Sequence, residues 1–178
     1  MLVGVVGPSG AGKDTLMAGA RAALAGIPAI RFARRVITRP AEAGGEEHLP
    51  TTPAEFARLR AAGVFALSWD AHGLSYGIPA EAAAGIGQGV VVVANLSRGV
   101  LAEAAARFPL TVLEITAPAE LRAARLASRG RESVEDVARR LSREAPLPGG
   151  LRVHRVVNDG LPECGIAAVV AVLRGLAA

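Results

Sequence analysis

The feature that most constrains the fold is a glycine-rich segment, Gly7-Pro8-Ser9-Gly10-Ala11-Gly12-Lys13. The apolar run from Leu2 to Val6 before it predicts a buried strand, and the pattern from Asp14 to Leu24 after it predicts a helix. In this setting the spacing G-x-x-x-x-G-K is typical of a loop that wraps phosphate groups. Its backbone N–H groups point inward, and the start of the helix adds the positive end of its dipole.

This loop predicts a site for a nucleoside triphosphate. The residues expected to hold its phosphates are Gly7, Pro8, Ser9, Gly10, Ala11, Gly12 and Lys13. Lys13 is the only lysine among 20 basic residues, and a compact ammonium fits among phosphate oxygens where a planar guanidinium does not. Asp14 stands where Ser or Thr usually supplies a ligand to Mg²⁺. Either Asp14 or Thr15 is expected to provide that oxygen, and we favour Asp14.

The composition of the chain limits the kinds of protein that could carry such a phosphate site. The 178 residues fit one domain. The net charge of +4 comes with few aromatic side chains for stacking on bases, so no nucleic-acid partner is expected. The longest apolar run, near Val90 to Ala94, is too short to cross a membrane, and no leader pattern precedes Leu2. With Cys164 as the lone cysteine, these features favour a cytoplasmic protein without disulfides.

The rest of the chain alternates between strand and helix patterns, which predicts an α/β fold with a parallel sheet covered on both faces. A capping box at Thr52-Pro53-Ala54-Glu55 predicts a helix start. Strands are expected within 29–38 and at 64–68, 74–76, 90–94, 110–116 and 151–157, and helices at 53–62, 80–84, 99–107, 118–128, 133–144 and 162–176. Residues 40–50 are expected to form a loop.

Further motifs resemble the guanylate kinase superfamily across nearly the whole chain. They are Ile37-Thr38-Arg39-Pro40, Trp69 with Gly73 and Tyr76-Gly77, Asn95-Leu96-Ser97-Arg98-Gly99, the stretch 125–132, and Asn158-Asp159-Gly160. The resemblance implies a three-layer P-loop core (1–30, 88–120 and 147–178), an inserted acceptor-binding arm (31–87) and a helical, arginine-bearing lid (121–146).

The departures from guanylate kinases concern the base. Where those enzymes hold guanine with carboxylates, this chain has Leu67 or Ser68 on the arm, and Asn95 and Ser97 after the central strand. Glu42 replaces a phosphate-binding arginine, and His48 replaces a tyrosine. A buried guanine edge without acceptors would cost roughly 1–3 kcal/mol per group, so GMP is not the expected acceptor.

The pattern is more similar to the ribose 1,5-bisphosphate phosphokinases of bacterial phosphonate degradation. The matching segments are the loop ending Gly12-Lys13-Asp14, Ile37-Thr38-Arg39, Glu46-Glu47-His48, the block 66–77 (ALSWDAHGLSYG), Asn95-Leu96-Ser97-Arg98 and Ser128-Arg129-Gly130-Arg131-Glu132. The resemblance implies that the γ-phosphoryl group of ATP is transferred, with Mg²⁺, to the 1-phosphate of ribose 1,5-bisphosphate. The products would be 5-phosphoribosyl 1-diphosphate and ADP.

The site residues are assigned by the same resemblance. For the phosphorylated sugar they are Arg35, Arg39, Glu47, His48, Trp69, Tyr76, Asn95, Ser97 and Arg98. For catalysis they are Lys13, Arg39, Arg125, Arg129 and Arg140, with Arg131 as a further lid arginine. Arg125 and Arg129 are also expected to bind ATP, with Asn158 near the adenine. The attacking phosphate oxygen is already anionic, so no general base is required.

Two alternatives remain open from the sequence. One is a nucleoside monophosphate kinase with altered base recognition. The other is a catalytically inactive guanylate-kinase-like interaction module, against which the intact loop with Lys13 argues. A sugar kinase that phosphorylates a hydroxyl is less favoured because it would need a base. A homodimer is also left open.

Overall fold

The computed structural model describes residues 1–41, 46–127 and 146–178. The first of its two sheets consists of β1 (Leu2–Val6), β2 (Ile30–Phe32), β7 (Val91–Asn95), β8 (Leu110–Thr116) and β9 (Arg152–Val157). The order is β2-β7-β1-β8-β9, and every pairing is parallel. The predicted α/β fold with a parallel sheet is therefore confirmed.

Helices cover both faces of this sheet. They are α1 (Lys13–Ala23), α3 (Leu101–Arg107), α4 (Ala119–Ala127) and α5 (Pro162–Ala177). Alternate residues of β1 point to opposite faces. Val3 and Val5 pack in one core with α1 and α5, whereas Leu2 and Val6 pack in a second core with α3. A strand buried on both sides has no polar face, which explains the continuous apolar run before the glycine-rich loop.

The second sheet lies within the residues predicted to form the arm. It consists of β3 (Val36–Ile37), β4 (Leu49–Pro50), β5 (Phe65–Ala71) and β6 (Leu74–Pro79), in the order β4-β3-β6-β5. Helix α2 (Pro53–Ala61) connects β4 to β5 and begins as predicted, with the Thr52 hydroxyl accepting from the Glu55 amide at 3.2 Å. The limits of the arm and of the lid stay predictions.

Two expectations for this region were wrong. The stretch expected to hold one strand contains two, because the chain leaves the first sheet after Phe32 and enters the second at Val36. The stretch expected to be a loop ends in β4, which pairs in parallel with β3. Pro50 lacks an N–H group, but the pairing uses its neighbours, as Leu49 donates to the Arg35 carbonyl and Thr51 to the Ile37 carbonyl.

The strands expected at 64–68 and 74–76 leave His72-Gly73 as the turn between them, with His72 as either a site residue or a loop residue, and the β5–β6 hairpin does turn there. Both residues have positive φ, 53° and 73°, which is the backbone of the tight turn that suits a twisted hairpin. His72 is the one non-glycine residue with positive φ in the part of the chain that the structure describes.

Part of the predicted lid lies outside the described residues. Helix α4 confirms the helix expected after Pro118, but its expected end at Ser128 and the helix expected over 133–144 lie outside those ranges, as do Arg129, Arg131, Arg140 and Glu42. None of the described helices is long and apolar enough to cross a membrane.

Candidate active site

The glycine-rich loop runs from the end of β1 to the start of α1 and is packed too tightly for side chains at two positions. A Cβ at Gly7 would lie 2.1 Å from the Ile115 carbonyl oxygen. Gly12 has φ of 81°, and a Cβ there would lie 2.4 Å from Nδ2 of Asn158. Only glycine fits both places, and the resulting curl precedes the N-terminus of α1, where anions are favoured.

Two side chains donate hydrogen bonds to backbone carbonyl groups of this loop. Asn158 is 5% exposed, and its Nδ2 donates to the Ala11 carbonyl at 2.8 Å. Arg125 donates to the Asn158 carbonyl at 3.2 Å and to the Gly10 carbonyl at 3.5 Å. The Asn158 amide faces the loop, and the expectation that Asn158 lies near the adenine stays a prediction. Both residues therefore bind the backbone that surrounds the phosphate site.

Lys13 and Asp14 both face the cavity in front of the loop. The Lys13 Nζ lies 3.6 Å from Oδ1 of Asp14, and the two side chains are 19% and 38% exposed. Thr15 is exposed and does not line this cavity, whereas Asp14 does. The described residues contain no cluster of three metal-ligating side chains. One carboxylate with substrate phosphates is the usual way to hold Mg²⁺ in phosphoryl transfer.

The cavity has a volume of about 470 Å³ and lies between the loop and the second sheet. Twelve of the predicted site residues line it: Gly7, Pro8, Ser9, Lys13, Asp14, Arg35, Arg39, Trp69, Tyr76, Asn95, Ser97 and Arg98. Eight other predicted residues of the described ranges do not: Gly10, Ala11, Gly12, Thr15, Glu47, His48, Arg125 and Asn158. Glu46 also lines the cavity and was missed, and His72, which the sequence left open as a site residue, lines it too.

Arg35 is held firmly on the arm side of the cavity. Its guanidinium lies 4.8 Å from the centre of the Tyr76 ring and 5.8 Å from that of Trp69, and the two rings stack on each other. Its Nε donates to Oε1 of Glu46 at 2.6 Å. The aromatic pair predicted to touch the substrate therefore supports a cation, which fixes a charge that phosphate can bind.

Arg39 is positioned by His48. The imidazole is 5% exposed, and its Nε2 lies 3.0 Å from the Arg39 carbonyl oxygen, while its Nδ1 lies 3.3 Å from Nη2 of Arg39 and 3.1 Å from the Glu46 carbonyl oxygen. His48 was expected to bind the sugar, but it is buried beneath Arg39. Nε of Arg39 is itself buried without a hydrogen-bond partner among the described residues.

Glu46 faces the cavity and its neighbour Glu47 does not. Glu47 has a 65% exposed side chain and pairs with Arg21 and Arg34, so the expectation that it lies in the site is not met. Glu46 and His48 both lie on the inner side, although Glu46 is at a bend before β4 begins at Leu49, so no strand pattern in the sequence selected Glu46 over Glu47.

Arg98 is tied to the main sheet through Glu114, which was also missed. Glu114 is 6% exposed and accepts from Arg98 Nη2 at 2.9 Å and from Arg155 Nε at 2.8 Å. A buried carboxylate is tolerated because two charged donors replace its hydration. A carboxylate between Leu113 and Ile115 in a buried strand was the signal in the sequence, although it does not identify Arg98 as the partner.

The chain is similar in sequence to a set of bacterial kinases. It is 48% identical over 181 residues to the ribose 1,5-bisphosphate phosphokinase of Rhizobium etli (strain CIAT 652), covering 100% of this chain and 91% of that protein. It is 46% identical to the enzyme of that name from Agrobacterium fabrum (strain C58 / ATCC 33970), covering 97% and 96% of the two chains. No protein-family model matches the chain.

Longer relatives match as well. The chain is 52% identical over 172 residues to the bifunctional ribose 1,5-bisphosphokinase-thymidine phosphorylase of Cupriavidus necator (strain H16). That match covers 96% of this chain but only 28% of the relative's length.

Solved structures agree on the fold. Guanylate kinase from Anaplasma phagocytophilum superposes with a TM-score of 0.64 at 19% identity, covering 98% of this chain and 84% of that one. The gluconokinase from Sinorhizobium meliloti 1021 gives a TM-score of 0.52 at 18% identity, covering 99% and 92%. The fold is guanylate kinase-like, and the full-length sequence matches show that the chain belongs to the ribose 1,5-bisphosphate phosphokinase family.

Proposed function

We propose that the protein transfers the γ-phosphoryl group of ATP to the 1-phosphate of ribose 1,5-bisphosphate, forming 5-phosphoribosyl 1-diphosphate and ADP in the cytoplasm. The single observation that carries the proposal is one cavity with two kinds of cation. Lys13 stands at the end of the glycine-rich loop, Arg35 and Arg39 flank β3 of the second sheet, and Arg98 follows β7 of the first sheet; all four line the cavity. The names of the full-length relatives support the same acceptor.

The donor side would bind ATP through backbone amides. The loop between β1 and α1 would surround the β- and γ-phosphates, with Lys13 reaching their oxygens. Asp14 fits as a ligand for Mg²⁺, which when bound would neutralise charge on the β- and γ-phosphates. Arg125 supports the loop, and Arg129 and Arg140 of the predicted lid would add charge as the site closes.

The acceptor side would hold both phosphates of the sugar. Arginines bind phosphate through two N–H groups at once, and Arg35 and Arg39 are each fixed by neighbours before any ligand arrives. An oxygen of the 1-phosphate would attack the γ-phosphorus while the bond from that phosphorus to the β,γ-bridging oxygen breaks. The attacking oxygen carries no proton, so positioning and charge neutralisation suffice.

The base-binding carboxylates of a guanylate kinase have no counterpart at the expected positions. Leu67 is 1% exposed and buried in the core. Asn95 is an uncharged amide, and its Nδ2 donates to Glu46. Neither position therefore supplies the carboxylate that holds guanine in those enzymes, which supports a small sugar phosphate over GMP.

An acceptor panel tests the proposal. Purified protein with ATP and Mg²⁺ is given ribose 1,5-bisphosphate, GMP, dGMP or AMP, and ADP formation is measured, with Lys13→Ala as the inactive control. We expect turnover with the sugar bisphosphate at least about 100-fold faster than with any nucleotide, as polar sites discriminate by such factors. Turnover of GMP at an equal rate would support the nucleotide kinase alternative. Absence of turnover and of ATP-dependent thermal stabilisation would support the inactive module.

A further inference from the structure

Glu46 is a carboxylate in a cavity otherwise rich in cations. Its side chain is 18% exposed, and it lines the same cavity as Arg35 and Arg39. A carboxylate close to a phosphate is repelled by it, and the repulsion grows where water is scarce. The part of the cavity nearest Glu46 is therefore unsuited to a phosphate group and suited to an uncharged part of a ligand.

The hydrogen bonds of Glu46 show which of its acceptor positions remain available to a ligand. Oε1 is engaged by Arg35 and Oε2 accepts from Nδ2 of Asn95 at 2.7 Å. A carboxylate has about four acceptor positions, so Oε2 retains one. Because Nδ2 of Asn95 is committed to Glu46, the group that Asn95 can present to a ligand is its carbonyl oxygen Oδ1.

Glu46 and Asn95 thus present acceptors side by side. Acceptors bind donors, and an ionised phosphate has none, whereas the two free hydroxyl groups of a ribose 1,5-bisphosphate each have one. The arginines and the acceptor pair divide the cavity into a phosphate-binding part and a hydroxyl-binding part.

We propose that Glu46, oriented by Asn95, is a specificity-determining residue that accepts a hydrogen bond from a ring hydroxyl of the acceptor and makes the site select ribose over deoxyribose. The inference rests on the proposed function, because it names the part of that substrate which Glu46 recognises. A ligand without the hydroxyl leaves one acceptor position of the half-buried Glu46 carboxylate unused, and sites that hydrogen-bond a substrate hydroxyl discriminate against analogues that lack it.

A simpler role for Glu46 would be to hold Arg35 in place. The two roles differ in a measurable way. Loss of Arg35 positioning weakens every acceptor equally, since all carry the same phosphates. Loss of a hydroxyl contact weakens only the acceptors that have the hydroxyl.

The experiment measures kcat/KM for ribose 1,5-bisphosphate and for its 2-deoxy and 3-deoxy analogues, in the parent protein, Glu46→Gln and Asn95→Ser. Glu103→Gln is the control, since Glu103 pairs with Arg107 on the surface of α3. In Glu46→Gln, Arg35 retains the remaining oxygen and a neutral NH₂ donor replaces the charged acceptor, so the hydroxyl can only accept a weaker hydrogen bond there. Asn95→Ser gives a second, independent removal of the pair.

We expect the parent protein to prefer ribose over at least one analogue by about 100-fold. That preference should shrink at least tenfold in Glu46→Gln and in Asn95→Ser, and stay unchanged in Glu103→Gln. A preference that persists in both site variants, or that is absent from the parent protein, overturns the inference and leaves the proposed function standing. No turnover of ribose 1,5-bisphosphate by the parent protein overturns the proposed function, and the inference with it.

Discussion

The two sides of the cavity are built in different ways. On the donor side, the glycine-rich loop is shaped by its own backbone and by buried contacts to it, such as that from Asn158 to the Ala11 carbonyl. On the acceptor side, side chains position one another, as Glu46 does with Arg35 and His48 with Arg39. The backbone shape of the donor loop therefore follows from one short segment that distant residues support, whereas the acceptor site is itself made of side chains from separate segments.

The largest effect is expected from Lys13→Ala on the donor side. The variant should lose about a thousandfold in kcat, since a preorganised charge at the transferred phosphoryl group is removed. Its melting temperature should match that of the parent, because Lys13 pairs with its sequence neighbour Asp14 at 3.6 Å and this contact ties no separate segments together. Steady-state kinetics and thermal melts measure both.

Lys13→Arg is the matched control for this prediction. It keeps the charge but replaces a compact ammonium by a planar group, so we expect it to be nearly as inactive as Lys13→Ala. Full activity in either variant would show that the loop does not hold the transferred phosphate.

The next largest effect is expected from Asn158→Ala. Removing the amide leaves the Ala11 carbonyl without its buried donor, which costs about 2 kcal/mol and loosens the loop. The KM for ATP should rise by about thirtyfold, while the KM for the acceptor stays within a factor of about three. An equal rise in the KM for ATP and the KM for the acceptor would mean that the donor and acceptor sides do not bind independently.

His48→Ala should impair the use of the acceptor and leave ATP binding unchanged, the reverse of the result expected for Asn158→Ala. Arg39 loses the side chain that holds it, so kcat/KM for the acceptor should fall by about tenfold, with the KM for ATP unchanged. Glu47→Gln serves as the comparison, because Glu47 binds surface arginines and its loss should change kcat/KM by less than about threefold. A larger effect from Glu47 than from His48 would contradict this view of the arm.

The smallest effect is expected in the arm hairpin, from Asp70. Hydrogen bonds from Arg60 and Ser75 hold the pKa of this carboxyl below its usual value. A lowered pKa means that the stabilisation is full above the usual carboxyl pKa and is lost as the pH falls through the lowered one. Asp70 is 63% exposed, so the contribution is below about 1 kcal/mol.

Thermal melts of Asp70→Asn and the parent protein, at neutral pH and near pH 3, measure this contribution. The difference in melting temperature should be small at neutral pH and smaller still in acid. Kinetic constants for ATP should not change, because the hairpin lies on the acceptor side.

The difference between the donor side and the acceptor side also explains which features could be predicted from the sequence. The loop at 7–13 predicted a strand, a turn and a helix because backbone geometry there follows from residue spacing. The parallel sheet followed from the alternation of apolar strands with helices. What sequence patterns did not reveal was pairing between distant side chains, as in Arg98 with Glu114, or Asn95 with Glu46. The choice between Glu46 and Glu47 depended on the direction of an extended segment at the edge of the arm sheet, which neither residue type determines.

The most direct test of the account is to locate the transferred phosphoryl group. The protein is incubated with ribose 1,5-bisphosphate and ATP labelled with ¹⁸O on the γ-phosphate, and the product is cleaved at C1 with mild acid and examined by mass spectrometry. Transfer of the γ-phosphoryl group to the 1-phosphate predicts label in the released diphosphate and none in ribose 5-phosphate. Label in inorganic phosphate alone, or retained on the sugar fragment as a new phosphate ester, would contradict it.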